Sequence, residues 1–589
     1  MPHYTAPLRD HLFCLYDLLD FETHTRIPGF EAFTRDVIEA VLEHSARFAA
    51  DVLYPLNRSA DEEGVRFAAG AVTTPKGFRE AYAQLVEGGW PALTAAPEHG
   101  GQGMPHMINF LFEEMLNGAS LSFGLFPGLT RGAYVAIAQH GSAAQKSLYA
   151  PRLASGEWAG SMCLTEAHCG TDLGLLRTTA TPQAGGSYAL TGTKIFISAG
   201  EHDLTPNIIY LVLARLPDAP KGSKGISLFL VPKYLVNEDG SLGARNGVSC
   251  GSVEHKMGIH GCPTCVMNFD AATGWLMGEP HQGLKAMFAM MNTERIAVGI
   301  HGLAIAEASY QNAVAYARER LQGRAPAGPR DLSKPADPII VHPDVRRMLM
   351  QQRALTEGCR MLALWTAQAL DVAERHPDAA ARKQADDFVA LMTPVVKAFL
   401  TDCGSEIASL GIQVLGGHGF IRANGQEQYA RDVRITQLYE GTNGVQSADL
   451  LGRKILHLGL FDRLAEPVTA FLEQHARNEA LAEFTAPVAA AFDHLEDATQ
   501  VLIGRSGKSP EEPGAAAVDY LRLFALTAVG YLFARAAGVS LPKSNEDFYR
   551  AKLATARFYM QRILPETASL HARIFAGAAS VMELDESMF

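Results

Sequence analysis

The sequence predicts an α+β protein in which helical regions stand before and after one β-rich region. Apolar residues recur at three- and four-residue spacing up to about residue 155, and the period changes to alternation near residue 160. Helical periodicity returns after residue 284. A chain of 589 residues is long enough for several domains. We predict domains at residues 1–158, 159–284, 285–454 and 455–589.

The first predicted domain is helical. The stretch FTRDVIEAVLEHSARFAADVLYPLN, residues 33–57, has the apolar spacing of an amphipathic helix. A loop rich in glycine and proline interrupts the pattern at residues 96–105, and helices resume at residues 107–119. This region is therefore expected to be an N-terminal helical domain.

The second predicted domain is a β-domain. GSYALTGTKIFISAG, residues 186–200, has the pattern of two strands joined as a hairpin at Thr191-Gly192. Further strands are predicted at residues 208–216, 226–234 and 263–270, with turn-rich connections between them. Because no helix-length pattern separates these strands, we predict an antiparallel sheet.

The remaining two predicted domains are helical. Periodic stretches at residues 285–320, 344–375 and 380–411 predict a helical bundle, which the glycine-rich LGGHGF at 415–420 interrupts. A further helix is predicted to carry the chain past Glu440. From residue 455 onward an additional C-terminal helical domain is expected, with a loop at residues 504–514.

The composition argues against several classes of protein. With a net charge of −12 and no block of lysine or arginine, no nucleic-acid partner is expected. The start of the chain lacks a signal-peptide pattern, and the longest apolar run, residues 523–533, is shorter than the roughly 20 residues that cross a bilayer. We expect a soluble cytoplasmic protein without a membrane span. The eight cysteines are scattered, so the CxxC of Cys262 and Cys265 is predicted to be structural.

Three polar stretches stand out in apolar surroundings. They are SMCLTEAHCGTDLG (161–174), TKIFISAG (193–200) and QLYEGTNGVQ (437–446). No GxGxxG follows a strand, no phosphate-binding GxxxxGK[ST] or metal-binding HExxH occurs, and the histidines lack ligand spacing, so no metal is predicted. Taken alone, Glu440 is compatible with a structural acid and with a general base presented to a substrate.

Together these stretches resemble the acyl-CoA dehydrogenase family, a group of FAD enzymes. MCLTEAHCGTD is similar to the family's first signature, and RDVRITQLYEGTNGVQ to the second, which carries the catalytic glutamate. GTKIFISAG and QVLGGHGF (413–420) agree as well, and the resemblance covers about residues 30–450. Residues 4–19, residues 254–269 and the extra C-terminal helices resemble an enlarged bacterial branch. That branch includes broad-range fatty acyl-CoA and 3-methylthiopropanoyl-CoA dehydrogenases.

The resemblance implies α,β-dehydrogenation of an acyl-CoA thioester to the trans-2-enoyl-CoA, a step of fatty acid metabolism. Glu440 would abstract the α-proton beside the desolvating ring of Tyr439, and bound FAD would accept the β-hydride. Gly441 would let the thioester approach the backbone closely. The resemblance further implies electron-transfer flavoprotein as electron acceptor and a homodimer as the assembly.

By the same resemblance, other residues would bind FAD or CoA. Along one side of the flavin ring would lie Met162, Leu164 and Thr165, with Phe196 and Ser198 on the other. Thr171 would reach the CoA and flavin phosphate region, and Arg295 would lie near the catalytic acid. The remaining FAD contacts would be Arg320 at the pyrophosphate of a neighbouring subunit, Gln413, Gly416 and Gly417 on the adenine side, and Thr442.

Departures from the family pattern are few. Ala167 and His168 replace the usual proline and small residue, and Asn443-Gly444 replaces a pair whose second residue is glutamine, which removes that glutamine's FAD contact. Two alternatives are an acyl-CoA oxidase and a DNA-associated alkylation-response flavoprotein. The second would carry a basic face in residues 455–589, which are not basic overall. No residue in the sequence decides the length or type of the acyl chain.

Overall fold

The computed structural model describes residues Tyr4–Phe589, which fold as two units. The helical unit contains residues 4–46, His106–Glu114 and Val298–Phe589, and the β-unit contains Arg47–Pro105 and Met115–Ala297. Both units are therefore assembled from segments that are far apart in the sequence.

Helices precede the sheet, as the apolar spacing predicts. The amphipathic stretch at 33–57 forms two α-helices joined without a break by a π-helical segment, Phe48–Leu53. These and the neighbouring helices are α1 (Leu8–Leu12), α2 (Phe21–His24), α3 (Arg35–Arg47), α4 (Tyr54–Glu63), α5 (Phe78–Glu87), α6 (His106–Ala119), α7 (Leu121–His140) and α8 (Ala143–Ser155).

The β-unit is built around a seven-stranded sheet, flanked by two short two-stranded ones. The strands are β1 (Arg66–Ala68), β2 (Ala71–Thr73), β3 (Ala159–Cys163), β4 (Thr179–Pro182), β5 (Tyr188–Ser198), β6 (Ile208–Arg215), β7 (Ile226–Pro232), β8 (Tyr234–Val236), β9 (Leu242–Arg245), β10 (Val248–Val253) and β11 (Thr264–Met277). In the main sheet the order is β10-β11-β5-β4-β6-β3, and β7 pairs with both β6 and β11. Strands β11, β5, β4, β6 and β7 therefore form a closed ring, whose inner residues, such as Tyr210 and Phe229, are fully buried.

The prediction of an antiparallel sheet is wrong at β6, which has two parallel partners. β3 pairs with β6 in parallel, from Ala159 opposite Ile208 to Cys163 opposite Val212, and β4 meets β6 in parallel at Thr179. The other pairs of the sheet are antiparallel. The parallel edge arises because β3 and β6 are separated in the chain by β4 and β5, which gives a connection long enough to return in the same direction.

The predicted hairpin at Thr191-Gly192 is also wrong. Residues Tyr188–Ser198 form one continuous strand, and its register against β11 shifts between Phe269 and Ala272. A Cβ at Gly192 would lie 2.4 Å from the Thr178 hydroxyl oxygen, so only a glycine at this position lets β5 pack this closely against Thr178. The turn-like residue pair therefore marks an irregularity in a strand and not its end.

Long helices follow the sheet, as predicted from residue 285 onward. They are α9 (Gly283–Glu319), α10 (Pro343–Arg375), α11 (Ala379–Leu415), α12 (Gln426–Arg434) and α13 (Asn443–Ala448). α9 and α11 approach backbone to backbone, because a Cβ at Gly302 would lie 2.5 Å from the Leu400 carbonyl oxygen and one at Gly404 would lie 2.5 Å from that of Gly302. This contact fixes the part of α11 that lies beside Glu440 in the helical unit.

The C-terminal region is helical, as predicted. Its helices are α14 (Asp462–His475), α15 (Ala482–Ser506), α16 (Glu511–Ser540), α17 (Asp547–Phe558), α18 (Glu566–Ala576) and α19 (Ala579–Met582). Two segments, Ala379–Phe420 and Glu511–Lys543, are long and apolar enough to cross a membrane. In both, 83% of the most apolar window is buried inside the fold, so they are core helices.

A buried cluster of charges joins the two ends of the chain within the helical unit. Arg360 on α10 contacts Asp10 of α1 at 2.7 Å, Glu114 of α6 at 2.5 Å and Glu307 of α9 at 2.6 Å. Lys552 of α17 pairs with the same Asp10. The N-terminal segment and the C-terminal helices are thus held by the same carboxylate.

Candidate active site

Two of the polar stretches meet in the β-unit. Met162 lies on β3 and Thr165 is the second residue after this strand; both are half-buried, while Leu164 between them is buried. The Ser161 hydroxyl donates a hydrogen bond to the Ser198 carbonyl oxygen at 2.9 Å, and the Ile195 N–H donates to the Thr165 carbonyl oxygen at 2.9 Å. The structure therefore brings the segment around Thr165 beside the end of β5.

Phe196 is held in an unusual conformation at this edge. Its φ is +59°, in the left-handed region that a bulky residue rarely adopts, and 61% of the side chain is exposed. Ala199, three residues further along the chain, also has a positive φ, +49°. Strained non-glycine residues cluster at functional sites, so this exposed ring is a candidate platform for a planar ligand.

A buried ion pair anchors the same segment and was missed by the sequence analysis. Lys194 is fully buried, and its Nζ donates to the Leu164 carbonyl oxygen and to Glu166 Oε1, both at 2.9 Å. Glu166 also accepts from the Thr178 hydroxyl at 2.6 Å and from the Arg177 N–H at 2.7 Å. Burial by itself would raise the pKa of Glu166, but Lys194 and these hydrogen bonds outweigh it and lower that pKa to about 2. The sequence did contain a signal for this ion pair, because Glu166 and Lys194 are charged residues inside two of the signature stretches.

Lys194→Met is expected to destabilise the protein by about 3–5 kcal/mol, because it leaves the Glu166 carboxylate buried without its cation. The double variant Lys194→Met/Glu166→Gln should recover part of this loss. Glu166 contributes stability above its ordinary pKa of 4.5 and loses it as the pH falls towards about 2, so the difference between wild type and Lys194→Met should shrink over that range. Urea unfolding from pH 7 to pH 3 measures this. A single variant as stable as the double one would contradict it.

One trio of potential metal ligands lies at this anchor. Among residues 4–589, only Glu166, His168 and Cys169 place three ligand atoms within 4.8 Å of one another. The Lys194 ammonium beside Glu166 repels a cation, and burial raises the pKa of the Cys169 thiol, which disfavours its thiolate. The trio is therefore a poor metal site. Cys262 and Cys265 are likewise buried free thiols.

Glu440 lies in a tight turn and not on a helix, which corrects the prediction that a helix passes it. α12 ends at Arg434, a 3₁₀ turn occupies Ile435–Gln437, and α13 begins only at Asn443. Glu440 has a φ of +56° and Gly441 a φ of +82°. Two successive residues in the left-handed region end any helix, and the first of them is not a glycine.

The turn from Tyr439 to Thr442 is anchored by its neighbours. Gln446 Nε2 donates to the Glu440 carbonyl oxygen at 3.0 Å, and the fully buried Lys397 donates to that of Gly441 at 2.7 Å. Nδ1 of the buried His301 lies 3.2 Å from the Tyr439 hydroxyl. The Glu440 turn is therefore rigid despite its glycines, and the sequence analysis named none of these three anchoring residues.

The other predicted cofactor residues lie at helix ends or in loops. Gln413 is exposed near the end of α11, and the exposed Gly416 and Gly417 follow in a 3₁₀ turn. Arg320 directly follows α9, and its carbonyl oxygen accepts from the Ile339 N–H at 2.8 Å. Thr442 caps α13, since its hydroxyl accepts from the Val445 N–H at 3.3 Å.

Two predicted substrate contacts stay predictions. Thr171 is exposed in the loop after β3. Arg295 belongs to the β-unit, where its guanidinium lies 5.9 Å from the centre of the Phe288 ring and 3.4 Å from the Asn292 side-chain oxygen.

These residues fit a flavin dinucleotide chemically. The β-unit offers an exposed aromatic ring, Phe196, and half-buried hydroxyl groups on Thr165 and Ser198. In the helical unit, apart from the glycines themselves and adjacent backbone, no atom of the described residues lies within 4 Å of the position that a Cβ would take at Gly416 or Gly417. Such open backbone accommodates the close approach of a dinucleotide.

Comparison with known proteins agrees with this fit. Family models described as the N-terminal, middle and C-terminal domains of acyl-CoA dehydrogenase match residues 36–157, 161–272 and 281–456, and one described as acetyl-CoA dehydrogenase C-terminal like matches residues 464–585. The chain is 44% identical to 3-methylmercaptopropionyl-CoA dehydrogenase of Ruegeria pomeroyi over 97% of this chain and 98% of that protein. The chain belongs to the acyl-CoA dehydrogenase family.

Further acyl-CoA dehydrogenases agree over the whole length. Identity is 32% to the broad-specificity linear acyl-CoA dehydrogenase FadE5 of Mycobacterium tuberculosis, with both chains covered completely. The structure of an acyl-CoA dehydrogenase complexed with FAD from Bacillus anthracis has the same fold, with a TM-score of 0.75, 20% identity, and 94% of this chain and 90% of that chain covered. As a member of the acyl-CoA dehydrogenase family, this protein is an FAD-dependent oxidoreductase that acts on acyl-CoA.

Proposed function

We propose that this acyl-CoA dehydrogenase converts 3-methylthiopropanoyl-CoA, or a linear acyl-CoA of similar length, to the trans-2-enoyl-CoA with Glu440 as the base. The relative at 44% identity, which matches nearly the whole chain, supports this substrate class over longer chains. The observation that most directly supports Glu440 as the base is the conformation of its turn. Glu440 lies in the second signature with a left-handed φ, and hydrogen bonds from Gln446 and Lys397 hold the turn in place.

The chain's own residues would prepare the α-proton for removal. Glu440 is half-buried, so its carboxylate is partly shielded from water while it takes the proton. Tyr439, placed by His301, would line the same site. Gly441 would present its backbone to the thioester, and the space of its missing side chain is taken by the Gln446 amide, since a Cβ there would lie 2.7 Å from Gln446 Nε2. When bound, FAD supplies the acceptor for the β-hydride.

The cofactor would be held by residues from both signatures. In the β-unit these are Met162, Leu164, Thr165, Thr171, Phe196 and Ser198. In the helical unit they are Arg320, Gln413, Gly416, Gly417 and Thr442. The amide of Asn443 is not among them, because its oxygen accepts from Lys397 and its nitrogen donates to Asp402 within the fold.

We further propose electron-transfer flavoprotein as the acceptor, a cytoplasmic location and a homodimer in which Arg320 reaches the partner's FAD. A dehydrogenase should reduce electron-transfer flavoprotein or a dye while producing little hydrogen peroxide in air. Stoichiometric hydrogen peroxide in air would instead identify an oxidase.

The substrate class is tested with a panel of saturated acyl-CoA thioesters. 3-Methylthiopropanoyl-CoA and pentanoyl-CoA have chains of the same length that differ by sulfur in place of one methylene, so we expect kcat/KM values within about tenfold of each other. Palmitoyl-CoA should be at least about tenfold poorer than either, because its chain is far longer than that of the proposed substrate class. Higher kcat/KM with palmitoyl-CoA would overturn the substrate class, and no turnover of any thioester would overturn the function.

A further inference from the structure

We propose that Lys397 is a positioning residue for the base, an inference that rests on the proposed role of Glu440. Together with Asn443 and Gln446 it forms what we call the Lys397 clamp. The clamp holds the Glu440 turn in the left-handed conformation that presents the carboxylate. Neither Lys397 nor Gln446 belongs to the residues that the family resemblance assigns to the site.

The contacts of the clamp converge on the backbone of the turn. Lys397 Nζ donates to the Gly441 carbonyl oxygen at 2.7 Å and to Asn443 Oδ1 at 2.8 Å. Gln446 Nε2 donates to the Glu440 carbonyl oxygen at 3.0 Å. Two successive carbonyl groups are therefore held by side chains from two different helices, α11 and α13.

The Asn443 side chain is held by its own hydrogen bonds, so it provides a fixed acceptor that orients the Lys397 ammonium group. Its amide nitrogen donates to Asp402 Oδ1 at 2.7 Å, to the Thr401 hydroxyl at 2.9 Å and to the Ala398 carbonyl oxygen at 3.1 Å. Because the nitrogen of the Asn443 amide is hydrogen-bonded, its oxygen has a defined position on α13. The Lys397 ammonium group therefore has this acceptor in addition to the Gly441 carbonyl of the turn.

The placement of Lys397 is costly, which argues that it has a role beyond packing. Its side chain is fully buried, and burying a charged amine is unfavourable unless hydrogen bonds compensate it. The backbone next to it is tightly packed, because a Cβ at Gly299 of α9 would lie 2.7 Å from the Val396 carbonyl oxygen. The ammonium group is thus presented to the turn from a tightly packed part of α11.

The clamp opposes the natural tendency of the turn to relax. A non-glycine residue in the left-handed region is disfavoured, so Glu440 needs outside contacts to keep its φ of +56°. Loss of the Lys397 contact would let the peptide at Gly441 rotate and carry the Glu440 carboxylate away from the α-carbon. A displacement of about 1 Å is enough to lower a rate by about 10²-fold.

The test isolates proton abstraction from hydride transfer. 3,3-Dimethylbutanoyl-CoA has α-hydrogens and no β-hydrogen, so its exchange with D₂O on the FAD-loaded enzyme, followed by NMR, reports the base alone. Lys397→Met should lower this exchange and kcat by about 10²-fold, with FAD content unchanged and KM within about threefold. Lys233→Met is the matched control, since it removes a buried lysine of the β-unit that pairs with Glu201, and it should leave exchange unchanged.

Each outcome has a defined meaning. If Glu440→Gln still exchanges α-protons, the proposed base is wrong. If Glu440→Gln loses exchange while Lys397→Met keeps it within about threefold of wild type, the base stands and the clamp is wrong. Should Lys397→Met fail to fold, Asn443→Ala takes its place, and an unchanged kcat and exchange rate in that variant would equally overturn the clamp.

Discussion

Glu440→Gln should lower the rate of flavin reduction by at least about 10³-fold while the protein keeps its full FAD content. Glutamine has nearly the same shape but cannot accept the α-proton. The hydrogen bond from Gln446 goes to the backbone carbonyl of residue 440, so the substitution leaves the turn intact. Anaerobic mixing with the best thioester of the panel, followed by flavin absorbance, measures the reduction rate.

The matched control for this result is Glu483→Gln. Glu483 lies on α15, is exposed and pairs only with the exposed Arg557 among its described ion pairs. Its replacement should leave both flavin reduction and FAD content unchanged. If Glu440→Gln reduced flavin within about tenfold of wild type, a different group would have to be the base.

Arg360→Met should destabilise the helical unit by about 3–5 kcal/mol, because it leaves buried carboxylates without their cation. Arg360 is 1% exposed and contacts three carboxylates from different helices. Burial would raise the pKa of Asp10, but Lys552 and Arg360 outweigh it and lower that pKa to about 2. Burial would also raise the pKa of Glu114, but Arg360 and His11 outweigh it and lower that pKa to about 2.

The effect of Arg360→Met should depend on pH. A carboxylate with a lowered pKa stabilises the fold above its ordinary pKa near 4 and loses that contribution as the pH falls towards about 2. The difference from wild type should therefore be largest near pH 7 and should shrink below pH 4. Urea unfolding followed by circular dichroism measures both points.

The control for Arg360→Met is Arg557→Met, which removes an exposed ion pair with Glu483. Exposed pairs contribute up to about 1 kcal/mol, so this variant should unfold close to wild type. Equal losses in the two variants would show that burial of the Arg360 cluster adds no stability.

The order of helical and β-rich regions could be predicted because it depends on local periodicity. The helices at 285–320, 344–375 and 380–411 match α9, α10 and α11 within a few residues. The pairing of strands could not be predicted in the same way. The parallel edge formed by β3 and β6 joins residues about 49 positions apart, such as Ala159 and Ile208, and no local pattern encodes that partner.

At the site, the sequence by itself determined the family, the cofactor and a short set of candidate residues, because signature stretches preserve residue types at fixed spacing. Only the tertiary structure decided how Glu440 is presented. Its turn is held by Lys397, which is 44 residues from Gly441 in sequence, and by a His301–Tyr439 contact across 138 residues. The conformation of a strained residue depends on such distant contacts, since its own preference favours relaxation.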